Sequence, residues 1–342
     1  MKSFTKRLSD KKRIAALYCA AILLLLVSAV LGILLGSASI SLSELFDVVR
    51  GADKDSAAAR IFTYVRLPRV CASLLCGAAL AVSGAVIQGV LANNLASPSI
   101  IGVNSGAGLA VTLCAALGIY GGWQLSVFSF FGALVTVLLV SISAKKWGAS
   151  RGTVILIGVA LNSLLGAISD TVITLDSDAG VISNDFRIGD FSFVTYSKLA
   201  PAAIIIIIAL LVVFTLSNEL EVLTLGDECA KGLGLNAGRS RVVLLIFAAL
   251  LASSAVSLAG LVSFVGLLVP HAVRGLVGRS DRNLLPLCAL LGAGFVTLCD
   301  TVARIAFAPY EIPVGIIMAF LGAPFFIFIL IKGKGGASRD KN

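Results

Sequence analysis

The chain has 342 residues, of which 58% are hydrophobic and only 13% are charged, and its formal net charge is +9. Soluble domains carry about 25% charged residues, so this composition excludes a soluble enzyme and indicates an integral membrane protein. Long continuous apolar runs such as 202–216 lack the alternation of a membrane β-barrel, and we therefore predict an all-α, polytopic fold.

Hydropathy and charge breaks predict ten membrane-spanning helices of about 20 residues each. In chain order they lie at 14–36, 70–91, 99–117, 125–143, 153–175, 200–216, 242–258, 261–277, 284–303 and 312–331. The first apolar run is too long for a typical signal peptide, so we interpret it as an uncleaved span. The spans form one transmembrane domain, 14–331, between an N-terminal tail, 1–13, and a C-terminal tail, 332–342.

The orientation follows from the basic residues. If the chain crosses ten times, most of the 27 Lys and Arg residues fall on one side, and cytoplasmic loops collect such residues. We therefore predict that both termini are cytoplasmic. The connection 217–241 is then a long cytoplasmic loop, in which Asp227 and Glu228 suit a helix start and Gly232 and Gly234 a helix stop. A structured polar loop, in a chain that has few other polar segments, suggests a docking surface for a partner protein.

Three of the arginines on the predicted outer side lie next to the ends of predicted spans. Arg66 and Arg69 precede the second span, together with Pro68, which suits the first turn of a helix, and Arg304 ends the ninth span. Arginines that anchor helix ends would explain the pattern. Guanidinium groups also pair well with carboxylates, and their collection on the side with fewer basic residues favours a site for an acidic partner.

Polar residues at membrane depth are costly unless they are paired or hydrated. Gln88, Asn104 and Asn162 are candidates for the lining of a water-accessible path, as is Asp170. Structural hydrogen bonds between helices explain them at least equally well. The short connection 93–98 is either a plain turn or a gate at the cytoplasmic mouth of the path.

The residue types for several kinds of chemistry are missing. The sequence has one histidine, His271, no Cys-x-x-Cys pair and no Gly-x-x-x-x-Gly-Lys-Ser/Thr motif. This excludes a histidine-rich metal site and ATP binding through a P-loop of the chain's own, and it argues against an intramembrane enzyme. We predict no catalytic residue, no bound metal and no cofactor. The basic net charge reflects cytoplasmic loops rather than a nucleic-acid partner.

Several motifs follow one another from Arg66 to the last span. They are Arg-Leu-Pro-Arg at 66–69, Ser-Gly-x-x-x-Gln at 83–88, Asn-x-Leu-Ala-x-Pro at 93–98, Gly-Val-x-x-Gly-Ala at 102–107, Leu-Gly-Asp-Glu-x-Ala-x-x-Leu-Gly at 225–234, Phe-Val-Gly-Leu-x-x-Pro-His-x-x-Arg at 264–274, Asp-x-x-Ala-Arg at 300–304, Glu-x-Pro-Val-Gly at 311–315 and Gly-Ala-Pro-Phe-Phe at 322–326. In order and spacing this series resembles the FecCD-type permease subunits of ABC importers, which carry iron–siderophores, haem or cobalamin.

The resemblance implies a BtuC-like subunit of ten helices in the cytoplasmic membrane of a prokaryote. The implied partners are a second permease subunit, two ATP-binding subunits on the cytoplasmic loop, and an extracytoplasmic substrate-binding protein. The ATPase coupling loop would include Leu225, Gly226, Asp227, Glu228, Ala230, Leu233 and Gly234. The cytoplasmic gate would include Asn93, Leu95, Ala149 and Ser150, and the binding protein would dock on Arg66, Arg69 and Arg304.

The cargo that the resemblance favours is a ferric siderophore, with haem or cobalamin as alternatives on the same machinery. Asn94 and Leu261 stand where the family usually has proline, and 186–189 replaces a Trp-x-x-Gly near the mouth of the path, which leaves the cargo open. An ion-coupled secondary transporter is a remote alternative. It needs paired carboxylates at membrane depth, for which only Asp170 and Asp300 qualify.

Overall fold

The computed structural model describes residues 2–38, 40–50, 56–146, 151–277 and 282–337. Within these ranges the chain is helical apart from short connections and an isolated β-bridge between Phe307 and Tyr310. The helices are, in chain order, α1 (Lys2–Leu34), α2 (Leu42–Arg50), α3 (Ala57–Arg60), α4 (Leu67–Leu91), α5 (Val103–Ala116), α6 (Trp123–Lys146), α7 (Arg151–Leu175), α8 (Ser177–Ile188), α9 (Tyr196–Thr215), α10 (Ser217–Thr224), α11 (Asp227–Gly232), α12 (Ala237–Ala259), α13 (Val265–Val277), α14 (Leu284–Ile305) and α15 (Val314–Ala337).

The membrane-spanning helices agree with the sequence prediction. By length and composition, seven helical segments of the described chain can cross a membrane: Lys12–Leu34, Ala57–Leu91, Trp123–Ser143, Gly152–Leu175, Tyr196–Thr215, Ala237–Ala259 and Leu284–Ile305. Three apolar helices are shorter: Val103–Ala116, Val265–Val277 and Val314–Ile327. Each of these ten segments overlaps one predicted span, which confirms the all-α, polytopic fold.

The start of the second span differs from the prediction. The sequence predicts a start at residue 70, whereas the helix continues back to Ala57 through a π-helical stretch, Ile61–Arg66. Proline has no N–H to donate to the backbone hydrogen bonds of an α-helix. Just before Pro68 the helix widens to a π turn, in which Leu67 N donates to Phe62 O, five residues earlier, instead of to a carbonyl four residues earlier. Pro68 therefore lies within a longer helical rod and does not begin it.

Helix α4 lies at the centre of the bundle, where it packs against α12, α13 and α14. The contacts are close because glycines face each other. A Cβ atom added to Gly77 would lie 2.2 Å from the carbonyl oxygen of Gly292, and one added to Gly84 would lie 2.0 Å from that of Gly266. Small residues allow this approach in a membrane, where van der Waals packing rather than the hydrophobic effect holds helices together.

The predicted cytoplasmic loop contains two short helices, as the sequence indicates. These are α10 and α11, and α11 begins at Asp227 as predicted. Gly226 and Gly234 flank α11 with φ angles of +110° and +81°, a backbone region that favours glycine. We call the end of the bundle that carries α10 and α11 the loop end, and the end that carries Arg69 the arginine end.

Candidate functional site

The structure gathers Arg66, Arg69 and Arg304 into one cluster at the arginine end, where they are 2%, 3% and 2% exposed. Arg69 lies at its centre. Its Nε and Nη2 atoms donate to the carboxylate of Asp300 at 3.0–3.2 Å. Its Nη1 atom donates to Glu311 Oε2 at 2.6 Å and to Ser192 Oγ at 3.1 Å. The guanidinium group is thus shared between a carboxylate on α14 and one on the segment that precedes α15.

The other two arginines bind the C-terminal end of α1. Arg66 donates to the carbonyl oxygens of Ile33, Leu34 and Ala38 at 2.7–2.9 Å. Arg304 donates to those of Gly32 and Leu35 at 3.0 and 3.2 Å. The last carbonyls of a helix have no partner within it and carry partial negative charge, so cations there are stabilising.

Carboxylates of the same chain balance the arginines. Asp300 is fully buried, and Arg304 Nε lies 3.2 Å from its Oδ2 atom. Asp190 lies 3.6 Å from Arg69 Nη2. Arg69 therefore faces three carboxylates, counting Glu311, and Arg304 shares Asp300 with it. The docking of an acidic partner on these arginines remains a prediction, and in the single chain their guanidinium groups are buried and hydrogen-bonded within the chain.

Glu311, like Asp190, lies outside the membrane-spanning helices. Partial burial raises the pKa of Glu311, but the hydrogen bond from Ser37 and the charge of Arg69 lower it by more, so it lies below the usual range. Its side chain is 28% exposed, against 0% for Asp300. The cluster therefore has one fully buried carboxylate, Asp300, and two partly accessible ones, since Asp190 is 22% exposed.

Gln88 lies near the other end of α4, roughly 30 Å along the helix from Arg69 at a rise of 1.5 Å per residue. It is 1% exposed and binds α13 through both ends of its amide. Its Nε2 atom donates to Gly266 O at 3.0 Å, and its Oε1 atom accepts from Arg274, which also donates to Ala85 O at 3.3 Å. In the single chain, Gln88 is a hydrogen-bonded link between two helices.

Asn104 and Asn162 hold the turn that leads into α5. Asn162 donates to Ser99 O at 2.9 Å and accepts from Ser105 Oγ at 2.5 Å. Asn104 donates to Ser99 Oγ at 3.0 Å. In the single chain, Gln88, Asn104 and Asn162 therefore all make hydrogen bonds within the protein. That they line a path for the cargo remains a prediction.

The candidate gate follows the last turn of α4. Ala92 has a left-handed backbone, and Asn93 Oδ1 accepts a hydrogen bond from Leu95 N at 2.9 Å, so the connection is a tight turn. Leu95 is 43% exposed and lines a small crevice with Phe264, His271 and Phe325. Ala149 and Ser150, the other gate candidates, lie outside the described residues.

The coupling-loop residues surround α11. Ala230 is fully buried, whereas Leu225 and Leu233 are 58% and 66% exposed, and Glu228 is exposed. Large exposed leucines on a polar loop are typical of a protein interface. A cavity of about 440 Å³ lies beside α10, which otherwise packs on α4 through Leu220, and the cavity lining includes Gln88 and Arg274. The loop therefore has exposed leucines and a cavity beside it.

Sequence reasoning missed the carboxylates that neutralise the arginines. Asp190 and Ser192 carried no sequence signal, and Glu311 entered only as a member of a motif. Asp300 entered as a member of a motif and as a candidate carboxylate for the secondary-transporter alternative. The spacing of Asp300 and Arg304 was readable, because residues four apart on a helix are neighbours. A further ion pair, Arg187 Nη2 to Asp170 Oδ1 at 3.2 Å, joins α8 to α7 in an exposed position.

Comparisons with known proteins agree with this architecture. The profile of the FecCD transport family matches residues 24–332. The uncharacterized ABC transporter permease protein YvrB of Bacillus subtilis is 38% identical over 98% of this chain and 99% of its own length. The iron-uptake system permease protein FeuB of the same organism is 35% identical over 91% of this chain and 93% of its own.

Among solved structures, an inward-facing transporter assigned to the metal-chelate type of ABC transporter superposes with a TM-score of 0.82. It is 30% identical in sequence, and the match covers 93% of this chain and 99% of that structure. Family, relatives and structure agree over nearly the whole length. The chain therefore belongs to the FecCD transport family, the multi-pass membrane permease subunits of ABC importers.

Proposed function

We propose that this chain is one of two permease subunits of a binding-protein-dependent importer that carries a ferric siderophore across the cytoplasmic membrane of a prokaryote. The observation that carries the proposal is the family match over 24–332, joined by the likeness to an iron-uptake permease along the whole chain. Haem and cobalamin are alternative cargoes for the same machinery. ATP is hydrolysed by two separate subunits, since the sequence has no P-loop.

Each end of the bundle has a proposed partner. The ATP-binding subunits dock at the loop end, where the exposed Leu225 and Leu233 flank α11. The substrate-binding protein docks at the arginine end, over Arg66, Arg69 and Arg304. Both termini are cytoplasmic in this arrangement, which agrees with the distribution of basic residues.

The geometry supports alternating access driven from the loop end. ATP-driven closure of the partner subunits pushes on α11, and α10 transmits the movement to α4, on which it packs beside the cavity of about 440 Å³. The turn at Asn93 and Leu95 lies directly after α4, beside that cavity, and opens or closes the inner mouth of the path. The chain itself makes and breaks no covalent bond.

Reconstitution tests this proposal. The complete transporter is placed in proteoliposomes with its binding protein, and uptake of radioactive ferric siderophore is measured with ATP, without ATP and with an ion gradient alone. Uptake that requires ATP supports an ABC importer, and uptake at full rate with the gradient alone refutes it. Screening ferric siderophores, haem and cobalamin against the binding protein identifies the cargo, and tight binding of haem or cobalamin alone refutes the siderophore.

A pair of variants tests the coupling loop. Leu233→Glu should abolish co-purification of the ATP-binding subunits, because it places a charge in the apolar contact. Leu117→Glu is the matched control, since Leu117 is 79% exposed at the far end of α5. Retention of the ATP-binding subunits by Leu233→Glu would show that the loop is not their docking surface.

A further inference from the structure

The carboxylate of Glu311 occupies a site built from three donors on separate parts of the chain. Ser37 Oγ, after α1, donates to its Oε1 atom at 2.6 Å. Arg69 Nη1, on α4, donates to its Oε2 atom at 2.6 Å, and Ser192 Oγ, between α8 and α9, lies 3.4 Å from the same oxygen. Together these groups form a carboxylate-binding site that one of the chain's own side chains fills.

Of the two carboxylates that accept hydrogen bonds from Arg69, Glu311 can leave this arrangement more easily than Asp300. Asp300 is fully buried on α14 and has charged contacts with both Arg69 and Arg304. Glu311 keeps 28% of its side chain exposed and lies on the irregular segment between α14 and α15. If Glu311 leaves, Arg69 keeps its three hydrogen bonds to Asp300 through Nε and Nη2 and loses a partner only at Nη1.

The charge balance determines how an acidic partner can bind here. Arg69 and Arg304 already pair with Asp190, Asp300 and Glu311, while Arg66 donates to backbone carbonyls. Counted together, the three arginines and three carboxylates make the cluster formally neutral. An additional carboxylate would give it a net negative charge in a partly buried place, where charge is costly. A carboxylate that replaces Glu311 instead leaves the net charge of the cluster unchanged and accepts hydrogen bonds from the same donors, Ser37, Arg69 and Ser192.

We propose that a carboxylate of the docked substrate-binding protein takes the place of Glu311 on Arg69 Nη1, Ser37 and Ser192, and so releases the segment before α15. The exchange rests on the proposed docking of that protein at the arginine end. It connects docking to α15, because α15 begins three residues after Glu311 and its Gly315 N donates to Gly189 O at 3.1 Å. A Cβ atom on Gly315 would lie 1.6 Å from Ile188 O, so this contact is close and sensitive to movement of the segment.

The test measures the affinity of the cognate binding protein for the whole transporter, permease with ATP-binding subunits, in nanodiscs. Glu311→Gln should tighten binding by about tenfold, because a neutral amide competes less well for Arg69 than a carboxylate does. Asp185→Asn is the matched control: Asp185 is an exposed acidic residue on α8, near the same end, and its loss should not change the affinity. Thermal unfolding verifies that both variants are folded.

The partner's side of the contact makes the test specific. Each surface glutamate of the binding protein is changed to glutamine, and the one whose loss weakens docking is combined with Glu311→Gln. The tenfold gain should disappear in this pair, since the two changes act on the same donors.

The outcomes separate exchange from docking. If a glutamate of the binding protein matters but Glu311→Gln leaves the affinity unchanged or lowers it, the exchange is overturned and docking stands. If no acidic residue of the binding protein affects the affinity, docking on the arginines is overturned as well.

Discussion

Substitution of Gly84 by alanine probes the close packing of α4 on α13. The added Cβ atom would lie 2.0 Å from Gly266 O and 2.5 Å from both Gly266 C and Gly266 Cα. These are backbone atoms, so no side-chain rotation can relieve the contact. Reaching even a 3.0 Å separation requires the two helices to part locally by about 1 Å, and in a densely packed interior such a shift is transmitted to neighbouring contacts.

The expected effect combines three contributions. Overpacking of a filled interior costs about 1–3 kcal/mol. Parting the helices also stretches the 3.0 Å hydrogen bond from Gln88 to Gly266, whose loss costs about 1 kcal/mol. Alanine favours a helix over glycine by about 1 kcal/mol, which offsets part of this. We therefore expect Gly84→Ala to lower the free energy of unfolding by about 1–3 kcal/mol.

Gly108→Ala is the matched control, because a Cβ atom at this position on α5 has no neighbouring atom within 4 Å. Only the helix preference acts there, so the same chemical change should leave stability unchanged or raise it by up to about 1 kcal/mol. The measurement is the free energy of reversible unfolding in mixed detergent micelles, followed by circular dichroism. Equal stability of the two variants would refute the close approach of α4 and α13.

Three further outcomes are expected from the same assay and its extensions. Asp300→Asn should cost about 3–5 kcal/mol, because it leaves buried arginines without their counter-charge, and a loss under about 1 kcal/mol would contradict the pairing. Asn162→Ala should speed hydrogen exchange at 99–102 more than Asn104→Ala, since Asn162 donates to a backbone carbonyl of that turn; equal rates would contradict this. Because the pKa of Glu311 is lowered on folding, its contribution to stability is complete above the ordinary carboxyl pKa and is lost as the pH falls through the folded value. Unfolding midpoints from pH 7 to pH 3 should therefore fall less steeply in Glu311→Gln than in the parent protein, and equal slopes would count against the shift.

The spans were predictable because their signal is local. A run of about 20 apolar residues between charges determines a membrane helix whatever its neighbours are. The division between α12 and α13, which no charge marks, depends on Gly260, whose φ of +69° ends α12. The continuation of α4 back to Ala57 was not predictable from Pro68, because a proline is compatible both with a helix start and with the wider turn found here.

The arginine cluster shows where sequence reasoning ends. The topology places Arg66, Arg69 and Arg304 at one end, and the structure confirms that they lie together. The pairing of Arg69 with Asp300 and Glu311 depends on contacts between residues more than 230 positions apart, which no local pattern encodes. Gln88 was equally ambiguous, because its position in the sequence does not tell whether the amide faces water or α13.

The contacts of α4 also indicate where the transport cycle can and cannot move the chain. Along its length α4 is bound to α14 through Arg69 and Asp300, to α12 through Ser83 and Ala248 O at 2.7 Å, and to α13 through Gln88. Two glycine contacts leave no space between these helices for sliding. Helix α7 is less enclosed: only 17% of the residues in its most apolar stretch are buried, against 83% in the span that contains α4. A cycle that preserves these buried polar contacts must therefore keep α4, α12, α13 and α14 together.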